Sequence, residues 1–159
     1  LITILGRISA KGKEEGKRGL LFEKKISNDQ CLIFGLFQIL GALVGAVVTN
    51  FMFDLDPISL AQKSRYGVNL WFSEIIATAM LIIVILSSPP KKVAIMVASY
   101  IGAAYWFTAS TSFANPAVTF GRIFSDTFTG IYVFDALYFM LAQILGAILG
   151  LFFYRYLFK

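Results

Sequence analysis

Four long apolar stretches constrain this chain more than any other feature of its sequence. Residues 31–53, 93–109 and 136–154 contain no Asp, Glu, Lys or Arg, and residues 69–86 contain only Glu74. Helices of roughly 17–25 apolar residues match the hydrocarbon thickness of a bilayer. The sequence therefore predicts an all-α integral membrane protein, a helical bundle with four spans. The predicted spans are residues 29–52, 69–87, 92–109 and 131–157.

Basic residues are distributed unevenly between the two sides of the predicted membrane. Eleven of the fourteen Lys and Arg residues lie on one side, in residues 1–28, 87–92 and 155–159. The other side holds Lys63, Arg65 and Arg122. Cytoplasmic loops carry the excess of Lys and Arg, so both termini are predicted to be cytoplasmic in a multi-pass protein of the cell membrane. The basic residues that give the net charge of +5 are distributed according to the predicted side of the membrane. We therefore expect membrane lipid, and not nucleic acid, as the partner of this chain. A basic tail for nucleic acid is the weaker alternative.

The sequence shows no catalytic or metal-binding motif. It has one cysteine, Cys31, and no histidine, which excludes a disulfide framework and a cysteine-based metal site within this sequence. No nucleophile–base pair or metal-ligand cluster is evident, so we predict no catalytic residues, no metal and no cofactor. Residues 1–28 have no apolar core of the kind that a cleavable signal peptide needs. They are predicted to be a polar basic leader, disordered or non-native.

Spans one and four share an internal repeat. F-G-L-F-Q-I-L-G-A-L-V-G-A-V (34–47) matches F-M-L-A-Q-I-L-G-A-I-L-G-L-F (139–152) at eight of fourteen positions. Gln38 pairs with Gln143, and each copy keeps two glycines four residues apart, a spacing that lets membrane helices approach closely. The two copies cross the membrane in opposite directions. Such inverted repeats are typical of membrane transport proteins.

An Asn-Pro-Ala tripeptide at 115–117 lies between spans three and four, in the stretch T-S-F-A-N-P-A-V-T-F-G-R (111–122). Asn is a preferred N-cap and Pro a preferred first helical residue, so a helix should begin at Pro116. About ten residues give roughly 15 Å of helix, half a bilayer. Since this segment leaves and returns on the same side, it is predicted to be a re-entrant half-helix. An ordinary N-cap in an external loop is the alternative.

These residues resemble the aquaporin, or major intrinsic protein, family in its bacterial form. The resemblance rests on S-E-I-I-A-T (73–78), F-A-N-P-A-V-T-F-G-R (113–122) and A-Q-I-L-G-A-I-L-G (142–150). It implies a channel of six spans and two half-helices, passive transport of water or small neutral solutes, and a homo-tetramer if the chain is intact. The pore motif would be Asn115, Pro116 and Ala117. Glu74 would be the buried glutamate that accepts hydrogen bonds from the re-entrant loop; a residue snorkelling to the interface is the alternative.

The resemblance places the selectivity filter at Ala103, Ser112 and Val118. The family usually has an Arg directly after Asn-Pro-Ala, where this chain has Val118; Arg122 follows four residues later. A filter of Ala, Ser and Val would be wider and less polar. It favours bulkier neutral solutes, such as glycerol or undissociated metalloid acids, over strict water selectivity.

The first half of the family's pattern is missing from this sequence. Asn115 precedes Gln143 by 28 residues, and the same spacing from Gln38 points to residue 10, where the chain reads S-A-K-G (9–12). Residues 29–159 are therefore predicted to be the C-terminal part of a channel domain. Two functions remain open: an aquaporin-like channel, or a non-conducting remnant or interaction subunit. A membrane enzyme is the weakest reading.

Overall fold

The computed structural model describes residues 28–158, except the side chains of Asn28 and Cys31, and this part of the chain contains helices and no strand. The predicted all-α bundle is confirmed. The predicted leader, residues 1–28, lies outside the described residues but for its last position. The elements are α1 (Asn28–Met52), α2 (Val68–Ser87), α3 (Val93–Phe107), α4 (Pro116–Gly121) with a 3-10 helix (Arg122–Phe124), and α5 (Val133–Phe158).

Three of the helices are long and apolar enough to cross a membrane: α1 from Leu32, α2 and α5. The remaining predicted span, 92–109, corresponds to α3, an apolar helix of 15 residues. At 1.5 Å per residue α3 is about 22 Å long, shorter than the hydrocarbon core. A pair of prolines, Pro89 and Pro90, stands between α2 and α3 and prevents one continuous helix.

The closest helix pair is α2 against α5, and glycines on α5 make it possible. A Cβ added at Gly150 would lie 2.5 Å from the carbonyl oxygen of Ala79, and one at Gly146 would meet the carbonyl oxygen of Ile75. The first copy of the repeat differs, because, apart from the glycine's own neighbours and the backbone of α1, no heavy atom of the described residues lies within 4 Å of a Cβ built at Gly41 or Gly45. Close packing of the repeated glycines is therefore present for the second copy only.

Helix α1 packs on the short helix α4, and its C-terminal end is anchored just after that helix. A Cβ at Gly121 of α4 would lie 2.8 Å from the carbonyl oxygen of Ala42, so the two backbones are nearly in contact. Asn50 is only 1% exposed. Its amide donates to the carbonyl of Phe124 at 3.0 Å, and its Oδ1 accepts from the hydroxyl of Ser125 at 2.6 Å. These contacts lie at the end of the 3-10 helix that follows α4.

The loop between α1 and α2, residues 53–67, runs alongside the segment that follows α4; we call it the outer loop after the side of the membrane that the sequence predicts for it. The amide of Ala61 donates to the carbonyl of Ile123 at 2.9 Å, and the amide of Tyr132 donates to the carbonyl of Lys63 at 2.9 Å. Main-chain hydrogen bonds thus tie the outer loop to both sides of the turn that leads into α5. The loop and the re-entrant segment form one unit, which positions the candidate site.

Candidate functional site

The short helix α4 begins where the Asn-Pro-Ala tripeptide predicts. Asn115 is the N-cap, and its Oδ1 accepts from the amide of Ala117 at 3.0 Å while Pro116 is the first helical residue. The six residues of α4 and the three of the following 3-10 helix give about 15 Å of helix. Asn115 is half-buried, and its Nδ2 makes no hydrogen bond within the described part of the chain. A donor is therefore left available at the start of the helix.

The entry arm, residues 108–114, leads from α3 into Asn115 and has an unusual backbone. Thr111, Ser112 and Ala114 have positive φ angles of 61°, 46° and 49°. Left-handed conformations of this kind are uncommon in residues other than glycine and cost about 1–3 kcal/mol each. They persist only where surrounding contacts hold them. The arm must therefore be fixed by groups outside it.

Glu74 supplies the strongest of these fixing contacts. Its side chain is fully buried on α2. The carboxylate accepts from the amide of Phe113 at 3.3 Å and also from the amide of Ala114. Gln143 of α5 donates a third hydrogen bond to it, from Nε2 at 2.9 Å. Since a buried carboxylate needs several donors to offset its desolvation, Glu74 and the arm stabilise each other.

Gln143 extends this contact to the helix itself. Its Nε2 also donates to the hydroxyl oxygen of Thr119 at 2.7 Å, and Thr119 Oγ1 donates to the carbonyl of Asn115 at 3.1 Å. Both Gln143 and Thr119 are fully buried. A single chain of polar groups thus connects α2, α5 and α4. The sequence indicated Gln143 only as a repeated residue. Nothing in the sequence indicated that Thr119 takes part in these hydrogen bonds.

Arg65 of the outer loop contacts both ends of the re-entrant segment, residues 108–132. This role was not predicted from the sequence. The residue is 4% exposed. Its guanidinium donates to the carbonyls of Gly130 (2.8 Å), Ser110 (3.1 Å) and Phe128 (2.9 Å). Desolvation lowers the pKa of Arg65 from its usual value, and the charge of Glu74 opposes that shift. Arg65 therefore connects the backbone before α4, at Ser110, with the backbone after it, at Phe128 and Gly130.

The three predicted filter residues lie on three segments of the chain. Ser112 is on the entry arm, 5% exposed, and its hydroxyl has no hydrogen-bond partner among residues 28–158. Val118 is half-buried on α4. Ala103 lies on an exposed face of α3, immediately before the fully buried Ala104. Ser112 and Val118 therefore lie on either side of Asn115 along the chain, the first on the entry arm and the second on α4.

Comparison with known proteins relates this arrangement to one family. The model of the family described as Major intrinsic protein matches residues 89–159. Aquaglyceroporin AqpS of Rhizobium meliloti (strain 1021) is 39% identical over 162 residues, which cover 99% of this chain and 69% of that relative. No solved structure matches the chain. The matched region includes α4, the entry arm and Gln143.

Proposed function

This chain belongs to the major intrinsic protein family, and we propose that it forms a passive channel for small neutral solutes, glycerol foremost, beside Asn115. The family is one of channels, which supports transport and gives no support to an enzyme. The observation that carries the proposal is the half-helix start itself. Asn115 caps α4 with its Oδ1 and leaves its Nδ2 as an available donor.

The physical setting of Asn115 favours neutral solutes. The N-terminus of a helix carries a partial positive charge, which attracts the oxygen of water or of a polyol and repels cations. Irregular backbone at membrane depth is tolerated only against protein or a water-filled cavity. The entry arm meets this condition on its protein side through Glu74. A solute path beside Asn115 would meet it on the other side.

The proposed constriction consists of Ala103, Ser112 and Val118. Two of these side chains are apolar and all three are small, which suits a solute wider than water. The similarity to a relative named aquaglyceroporin supports glycerol over strict water selectivity. Undissociated metalloid acids belong to the same class of small neutral hydroxylated solutes.

The proposal includes orientation and assembly. The distribution of basic residues favours cytoplasmic termini, which would place α4 and the outer loop on the opposite side. The outer faces of α1 and α5 are rich in exposed apolar side chains, among them Leu36, Phe37 and Phe152. Such faces suit contact with lipid and with neighbouring subunits of a homo-tetramer. Residues 29–159 would then be the part of the channel domain that carries this half-helix.

Replacing Val118 with Trp tests the proposed path. We expect the glycerol permeability of reconstituted vesicles, measured by stopped-flow light scattering, to fall about tenfold because the indole fills the constriction. Ile148→Trp is the matched control, since Ile148 is 53% exposed on the outer side of α5. The control should keep the permeability of the wild type.

Two outcomes would count against the proposal. Wild-type protein that is inserted in the vesicles but conducts no more than empty vesicles would favour the non-conducting alternative. Equal losses in Val118→Trp and Ile148→Trp would mean that added bulk acts through packing and not through the path.

A further inference from the structure

One face of α4 and its 3-10 extension is only half-buried. Thr119 is buried towards α5 through Gln143, and Gly121 is buried against Ala42 of α1. Val118 and Arg122 are both half-buried. Residues four apart lie on one side of a helix, so these two share one half-buried face. Asn115 lies one turn before Val118 along the same line.

Arg122 lies at the C-terminal end of this face, against the ring of Phe113. Its guanidinium carbon lies 4.1 Å from the centroid of the Phe113 ring, and Arg65 contacts the same ring at 4.9 Å. Nη1 of Arg122 is buried and has no hydrogen-bond partner among the described residues. Arg65, in contrast, uses its guanidinium on three carbonyls. The guanidinium of Arg65 is therefore used in holding the backbone, whereas Nη1 of Arg122 is left without a partner within residues 28–158.

Two further buried polar atoms without partners lie on the entry arm beside Phe113. They are the hydroxyls of Thr111 and Ser112, which find no partner within residues 28–158. Buried polar groups without a partner are rare in folded proteins. Together with Arg122 Nη1 they are polar atoms that a hydroxylated solute or its water can satisfy. The entry arm and the half-buried face of α4 thus carry polar atoms without a partner around Phe113.

We infer that Arg122, and not a residue at position 118, is the cation that excludes positively charged solutes from this channel. Side chains on a helix point back towards its N-terminus, which directs Arg122 over the turn that contains Val118. From Asn115 to Arg122 the helix rises about 10 Å. The path then has a donor at its inner end, an apolar step at Val118 and a fixed charge at its outer end. This inference rests on the proposed function.

The arrangement separates two properties of a channel. The width of the constriction is set at Val118, where a small apolar side chain admits a bulky neutral solute. Charge selection is set one turn farther out, at Arg122, because a fixed cation near a narrow path raises the energy of a second cation there. A constriction at Val118 that is wide enough for a bulky neutral solute would then still exclude ammonium ions.

Arg122→Met tests the inference through a ratio of permeabilities. Vesicles containing the full chain are assayed for glycerol by light scattering and for methylammonium by uptake. We expect the methylammonium-to-glycerol permeability ratio to rise about tenfold in Arg122→Met, because the fixed charge is gone. Arg122→Lys keeps the charge and should keep the low ratio of the wild type. Lys63→Met removes a charge from the exposed outer loop and is the matched control, with no expected change.

The outcomes distinguish this inference from the proposed function. A wild type that conducts glycerol, with an unchanged ratio in Arg122→Met, would overturn the role of Arg122 and leave the channel standing. A wild type with no glycerol flux would overturn the proposed function. If Arg122→Met does not fold, Arg122→Lys decides: a high ratio there would contradict selection by charge.

Discussion

Glu74→Leu is expected to destabilise the protein by about 4 kcal/mol and to abolish solute flux, because it leaves three buried donors without an acceptor. These donors are the amides of Phe113 and Ala114 and one N–H of the Gln143 side chain, whose other N–H keeps its bond to Thr119. The entry arm would then lose the contacts that hold its left-handed residues. Unfolding in detergent, followed by circular dichroism, measures the stability, and light scattering on vesicles measures the flux.

Glu74→Gln is the graded comparison for this prediction. Glutamine keeps one carbonyl acceptor but adds two donors, so it should satisfy part of the arm and fall between wild type and Glu74→Leu. Equal stability of all three proteins would contradict the assignment of Glu74 as the support of the arm. If Glu74→Leu loses stability and flux while Glu74→Gln keeps full flux, any buried polar side chain at position 74 is sufficient to support the arm.

Arg65→Met should cost about 3 kcal/mol of stability, because three carbonyls lose their donor at once. The affected carbonyls belong to Ser110, Phe128 and Gly130, on both sides of the re-entrant segment. Arg65→Lys should recover only part of this loss, since an ammonium cannot reproduce the planar fork of a guanidinium. The same detergent unfolding assay measures both variants.

Lys63→Met serves as the control for Arg65→Met. Lys63 is an exposed cation of the same outer loop and contacts the Phe128 ring at 5.2 Å. Exposed pairs of this kind contribute little to stability. A similar loss in both variants would show that the outer side responds to charge in general, and would contradict a specific role of Arg65.

Much of the fold follows from periodic and compositional signals in the sequence. The apolar runs predicted where α1, α2 and α5 lie, because length and hydropathy alone specify a membrane span. Asn115 and Pro116 predicted the start of α4, because N-cap chemistry is local. A lone carboxylate in an apolar run indicated that Glu74 needs a buried partner. Each of these signals depends on neighbouring residues only.

The remaining features depend on contacts between segments distant in sequence. Arg65 counted only as one of three outer basic residues, and nothing in its neighbours indicates that it reaches carbonyls 45 to 65 residues away. Thr119 and Asn50 are ordinary polar residues until the fold brings them to Gln143 and Ser125. The repeated glycines also looked equivalent, yet only those of α5 pack closely in the described structure.

Asn115→Asp tests the central claim, that passing solutes meet the amide of Asn115, more directly than any other change. Aspartate caps a helix as well as asparagine does, so the bond to the amide of Ala117 and the fold should be kept. The variant removes the Nδ2 donor. We predict an unchanged unfolding curve and a glycerol permeability in vesicles about tenfold below wild type, because an acceptor replaces the donor. A permeability equal to that of the wild type, with equal insertion, would contradict the claim.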